Sequence, residues 1–140
     1  MRRTIKTKEI ESRIVSIIKC SVYSNELKSL LDSLYFFTDK IKFPGVYIYS
    51  DKNSYHCIYI GDRGSVDRVD EQLELDLVIK EVIWGLVSSL SIKFPNDTKG
   101  DNFRKKMFGN RMELASSLAD DYKDYVEDKI IAILEESPYE

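Results

Sequence analysis

The sequence predicts an α+β fold, a small antiparallel sheet packed with about five helices, in a single domain spanning residues 1–140. Three observations predict it. Apolar residues recur at three- and four-residue spacing in separate stretches before residue 36 and after residue 73. Between Val46 and Ile60 the pattern changes to tyrosines and β-branched residues broken by one turn. The stretch from Leu73 to Ile92, which holds the only tryptophan, Trp84, is apolar on most of its circumference. A helix of that kind has to lie between other layers, because a surface helix keeps a complete polar face.

In chain order, Ile10, Ile14, Ile17 and Ile18 form one stripe flanked by Lys8, Glu11, Arg13 and Lys19, the mark of a core-packing helix. A break at 21–25 precedes a second helical pattern through Leu27, Leu30, Leu31 and Leu34, with Ser24 as its expected cap. Phe43-Pro44-Gly45 ends the helical region. A β-hairpin follows, 46–50 and 55–60 around Asp51-Lys52-Asn53-Ser54. Strict alternation expects Val46, Ile48, Ile58 and Ile60 on one face, and Tyr47, Tyr49, Tyr55, Cys57 and Tyr59 on the other. A short third strand is expected near 65–69, after the turn Asp62-Arg63-Gly64.

Beyond the central helix, Phe94 to Gly100 reads as a loop. A helix capped by Asp101 or Asn102 would then turn Phe103, Met107, Met112, Ala115 and Leu118 inward, with Gly109 as a kink. The last helix opens on Asp120 and Asp121, which suit the positive end of its dipole. It carries Tyr122, Val126, Ile130, Ile133 and Leu134, and Ser137-Pro138 stops it.

Composition narrows the function classes. A chain of 140 residues, 43% hydrophobic with three prolines, buries a core without metal or disulfide support and is not disordered. A net charge of -3 argues against a general nucleic-acid binder, whose affinity rests on clustered cations. Lys8, Glu9, Glu11 and Arg13 interrupt any signal sequence, and Asp76, Lys80 and Glu81 spoil a membrane span, so the expected location is the cytoplasm. Cys20 and Cys57 have no zinc-like spacing and read as reduced thiols. His56 is the only histidine, and no cluster of ligand type surrounds it. Its neighbour Cys57 would point to the opposite face of a strand, so the two do not form a nucleophile pair. No catalytic residue, metal site or cofactor is expected.

Charge and tyrosine supply the candidate binding residues. Asp67, Asp70, Glu71, Glu74 and Asp76 face only Arg68, and Asp62 lies just before them. Such residues compensate a helix dipole, and they also make an acidic platform for a basic partner. A basic block follows, Lys93, Lys99, Arg104, Lys105, Lys106 and Arg111, read as an exposed helix face. From Glu113 onward nine carboxylate side chains face Lys123 and Lys129, which leaves the chain electrically polarised. Tyr47, Tyr49, Tyr55 and Tyr59 either pack on helices with their hydroxyls at the rim or form an exposed interface row.

The hairpin from Gly45 to His56, the turn Asp62-Arg63-Gly64 and the acidic approach to the Trp84 helix form an ordered set. With them stand Phe103-Arg104-Lys105-Lys106-Met107-Phe108, Glu113-Leu114 and the ending Ile133 to Tyr139. Together they resemble bacterial polymorphic-toxin immunity proteins, most closely the family numbered sixty-three in that series. The resemblance covers roughly residues 40–140. It implies a small cytoplasmic α+β protein that binds a cognate toxin domain and neutralises it by stoichiometric occlusion, without catalysis. A nuclease toxin would have its phosphate-binding surface covered by the platform. The rival reading is a regulatory or adaptor domain for a small ligand or peptide.

Overall fold

In the computed structural model, residues 5–36, 45–51, 54–61 and 66–140 are described, with Ser33 and 66–73 described in backbone alone. The elements are α1 (Thr7–Lys19), α2 (Ser24–Ser29), a 3-10 turn (Leu30–Ser33), β1 (Leu34–Tyr35), β2 (Gly45–Ser50), β3 (Tyr55–Ile60), β4 (Val66–Leu73), α3 (Leu75–Lys93), α4 (Asp101–Ser116) and α5 (Asp120–Glu136). They form an α+β fold with one four-stranded sheet in the order β1-β2-β3-β4.

The sheet is mixed. β2, β3 and β4 pair antiparallel as a meander, and β1 adds a parallel edge, Leu34 opposite Val46 and Tyr35 opposite Tyr47. The sequence pattern carries the second helix through Leu34, but α2 ends at Ser29 and the chain passes through a 3-10 turn into that edge strand. Pairing with β2 overrides the local helical spacing of the leucines. Ser24 is the first residue of α2 rather than its cap, which is Tyr23.

The expected hairpin faces are also corrected. Ser50 pairs with Tyr55, so every partner pair of β2 and β3 joins an even-numbered residue to an odd-numbered one. Directly opposed residues share a face. Val46 and Ile48 therefore go with Tyr55, Cys57 and Tyr59 on the side packed into the helical core. Tyr47 and Tyr49 go with His56, Ile58 and Ile60 on the other side. Alternation along each strand is as expected; the four-residue connection swaps the parity across it.

The core collects Ile10, Ile14 and Ile18 of α1, Ile48 and Cys57 of the sheet, and Val78, Val82, Ile83, Leu86 and Val87 of α3. Leu114 and Ala115 of α4 and Val126 and Ile130 of α5 close it from the other side. The central position of the Trp84 helix is thus as its composition requires. α4 starts one or two residues earlier than a cap at Asp101 or Asn102 would give, after Gly100, whose φ of 60° favours glycine. Its inner face is Phe108, Arg111, Leu114 and Ala115; Phe103 is exposed, and Gly109 lies within an unbroken helix. No helix among the described residues is long and apolar enough to cross a membrane.

Candidate protein-binding surface

Of the acidic platform, Asp62 lies outside the described residues, and Asp67, Asp70 and Glu71 are placed by backbone alone in β4. That strand forms one edge of the sheet, with Asp70 opposite Cys57 and Glu71 opposite His56. Glu74 and Asp76 are exposed at the start of α3. Glu74 occupies the N-cap without a side-chain cap bond, and Asp76 pairs with Lys80 one turn on at 2.9 Å.

The fold extends this acidic end with residues far away in sequence. Lys80 is held above its ordinary pKa first by the hydrogen bond it donates to Asp76, against the opposing effect of burial, and further by the charges of Asp76 and Asp121. The hydroxyl of Tyr122 is pushed up by burial first, then by Asp76, with Asp121 adding and Lys80 opposing. The Lys80 ammonium also stands 5.9 Å from the Tyr125 ring, and Ile79 and Tyr122 line one groove, so the N-terminal turns of α3 and α5 lie side by side. From there Asp120, Asp124, Glu127, Asp128 and Ile131 follow the outer side of α5 at helical spacing, all exposed. Among the described residues the composite surface bears seven exposed carboxylates, Glu74, Asp76, Asp120, Asp121, Asp124, Glu127 and Asp128, interspersed with Lys80 and Lys123. The sequence shows the acidic run in α5, but its junction with Asp76 depends on helix packing.

The tyrosines divide. Tyr47 is 1% exposed, stacked against Tyr35 with ring centroids 4.7 Å apart. Tyr55 is 8% exposed, and its hydroxyl accepts a hydrogen bond from the Ile5 N–H at 3.0 Å. Tyr49 and Tyr59 are half-buried, on opposite faces of the sheet. The four do not form an exposed row, because the register separates them and the core takes Tyr55.

His56 stacks on Tyr49 at 4.6 Å and meets Asp51 Oδ2 at 2.7 Å and Ser54 Oγ at 3.0 Å. Both contacts use Nε2. A serine-histidine-aspartate relay needs its two partners on different ring nitrogens, so this trio fastens the turn instead. Cys57, fully buried, lies on the other face. Among the described residues no three His, Cys, Asp or Glu side chains converge as a metal site.

Two buried charges escaped sequence reasoning. Glu81, 7% exposed in α3, is met by Lys129 of α5 and by the Tyr125 hydroxyl. Arg111, expected in the exposed basic block, is 9% exposed, with its guanidinium 5.0 Å from the Trp84 ring and 5.4 Å from that of Phe108. Its Nε donates to Ser91 Oγ, and burial pulls its pKa down. Neither is visible as a pattern, since Glu81 meets partners 44 and 48 residues away and Arg111 donates to a serine 20 residues away.

The basic block is reduced further. Arg104 donates to the Ser137 carbonyl, and Arg104 and Lys105 stand 5.2 and 5.0 Å from the Tyr139 ring. The Glu140 N–H donates to Asp101 at 2.7 Å. The end of the sequence thus folds back onto its basic stretch through a carbonyl, a tyrosine ring and a backbone N–H. No known protein family, curated protein or solved structure matches the chain.

Proposed function

We propose that this chain is an immunity protein, a stoichiometric inhibitor that binds a cognate bacterial toxin domain and neutralises it by covering a basic surface. The acidic surface across the first turns of α3 and α5 carries this reading, because the fold gathers there carboxylates of two helices that are 44 or more residues apart, Asp76 and Asp120 among them. Gathered charge of one sign attracts a partner of the other and speeds encounter. A nuclease fits as the toxin, since it must present cations to phosphates. The motif order from the tyrosine-rich hairpin to the final helix gives the reading its biological setting. A basic toxin domain, encoded beside this chain, should co-purify with it as an equimolar complex whose association slows as salt rises. Association unaffected by salt, or no complex with an active toxin, would reject the reading.

A second reading rests on a groove of about 450 Å³ between α1, α3 and α5, with Ile17 and Ile79 in its wall and Arg13 and Tyr122 at its rim. It suits a small ligand or peptide bound by a regulatory domain. Calorimetry against metabolite pools separates the two, because only this reading requires saturable heat without a protein partner.

A further inference from the structure

The eight residues of β4 pair with β3 on one side, and among the described residues no strand pairs with the other. The opposite edge, β1, is two residues long and offers little backbone to a newcomer. In an antiparallel sheet the outer strand presents an N–H and a C=O at every second residue. These groups recruit an extended segment by strand addition, a recurring mode of peptide recognition.

Register limits where such a segment could lie. The pairing of β4 with β3 shifts at both ends, between Tyr55 and His56 and between Tyr59 and Ile60. Between the shifts, Arg68 to Glu71 pairs with Tyr59 to His56 without interruption. Irregularities and charges are devices by which edge strands refuse indiscriminate pairing. A regular run between two shifts admits one short strand and obstructs a long one.

Charge then selects the occupant. β4 contains Asp67, Asp70 and Glu71 against Arg68, and it leads directly to exposed Glu74 and Asp76. A second copy would bring together two strands that each carry net negative charge. We infer that the outer edge of β4, centred on Arg68 to Glu71, binds a short extended segment rich in Lys or Arg by β-strand addition. This deepens the inhibitor reading, on which it rests for the natural source of the segment, the toxin domain. Main-chain hydrogen bonds would hold the segment, and the acidic residues of the strand would choose it over neutral or acidic sequences.

The test is amide hydrogen exchange by NMR on the full chain, alone and with a synthetic peptide of alternating lysine and threonine. Two further peptides are controls, one with glutamate for lysine and one with the same lysines but a central proline. In the free chain, amides across Arg68 to Glu71 should alternate between protected and rapidly exchanging. The lysine-threonine peptide should slow the exposed set about tenfold, while the two controls leave it unchanged. Protection of every amide in the free chain, whether or not it depends on concentration, would overturn the inference, since the edge would already be covered. Equal protection by the proline peptide would overturn it too, showing charge contact without strand addition. So would no protection by the lysine-threonine peptide at saturating concentration. None of these results depends on whether a toxin is neutralised, so this inference and the inhibitor reading fail separately.

Discussion

The Nζ of Lys129 lies 2.6 Å from the Glu81 carboxylate, which is 7% exposed in the contact between α3 and α5. Tyr125 donates its hydroxyl to the same oxygen, and its ring is 5.4 Å from the Lys129 ammonium. A buried carboxylate is tolerable only with such partners. This pair fixes how α5 sits against α3, and through that contact the acidic surface is assembled.

Removing one side of the pair should therefore cost more than a surface substitution. Lys129→Ala takes the cationic partner from the buried Glu81 charge and should lower stability by about 1–3 kcal/mol. Glu81→Gln keeps an acceptor for Tyr125 and should cost less. Urea denaturation gives the comparison, as a shift of midpoint at unchanged slope. Equal midpoints for Lys129→Ala and the wild type would show that the pair does not hold the helices.

Arg111 leads to an opposite expectation. Its stem and guanidinium fill the space between Trp84 and Phe108, and no carboxylate pairs with it among the described residues. Its folded-state pKa is lowered by burial, so the charge is carried at a cost. Arg111→Met keeps the apolar volume and removes the charge, and should fall within about 1 kcal/mol of the wild type. Arg111→Lys keeps the charge but cannot lie flat between two rings, and should be the less stable variant. Thermal unfolding followed by Trp84 fluorescence ranks the two; the reverse order would contradict the packing role.

These two residues show where sequence reasoning stops. The stripes of α1, α3 and α5 are legible because helical spacing alone decides them, and Ile10, Ile14, Ile18, Val126 and Ile130 are buried as the pattern requires. A helical Glu or Arg is ordinarily solvated, so nothing local marks Glu81 or Arg111 as buried. The hairpin faces failed for a different reason: strand alternation is local, but parity across the turn depends on which residues pair. The acidic surface was half legible, with Glu74 and Asp76 named, while its α5 half needed the packing of two helices.

Tyr55 and Ser50 tie the N-terminal segment to the hairpin. Besides the Tyr55 contact with Ile5, Ser50 Oγ donates to the Ile5 carbonyl at 2.6 Å, and the Ser50 N–H donates to Thr7 Oγ1 at 3.1 Å. Tyr55→Phe should destabilise by about 1 kcal/mol through loss of one hydrogen bond, with toxin affinity unchanged. Denaturation and titration calorimetry measure the two effects. Lost affinity at unchanged stability would return Tyr55 to the interface.

Alkaline pH should weaken the fold through Tyr122. Burial, assisted by Asp76 and Asp121, raises its folded-state pKa above the usual value near 10. A raised folded pKa gives stability that is present below the unfolded value and lost as pH rises through the folded one. Tyr122→Phe should flatten that alkaline loss, measured by urea denaturation from neutral pH upward. An alkaline limb identical to the wild type would contradict it.

The acidic surface itself is tested by reversing Asp124, Glu127 and Asp128 to Lys on α5, all exposed and outside the core. Toxin association should slow about tenfold and lose most of its salt dependence, with the midpoint of unfolding little changed. Stopped-flow association supplies the rates. An unchanged rate and salt slope would place binding elsewhere.

Growth is the most direct measurement of the proposed neutralisation: bacteria expressing a candidate toxin domain encoded beside this chain, with the wild-type chain, with the α5 triple reversal, or with neither. The wild type should restore growth and co-purify with the toxin, while the reversed variant, equally folded, protects less. Continued growth arrest with an active toxin and abundant folded wild-type chain would contradict neutralisation.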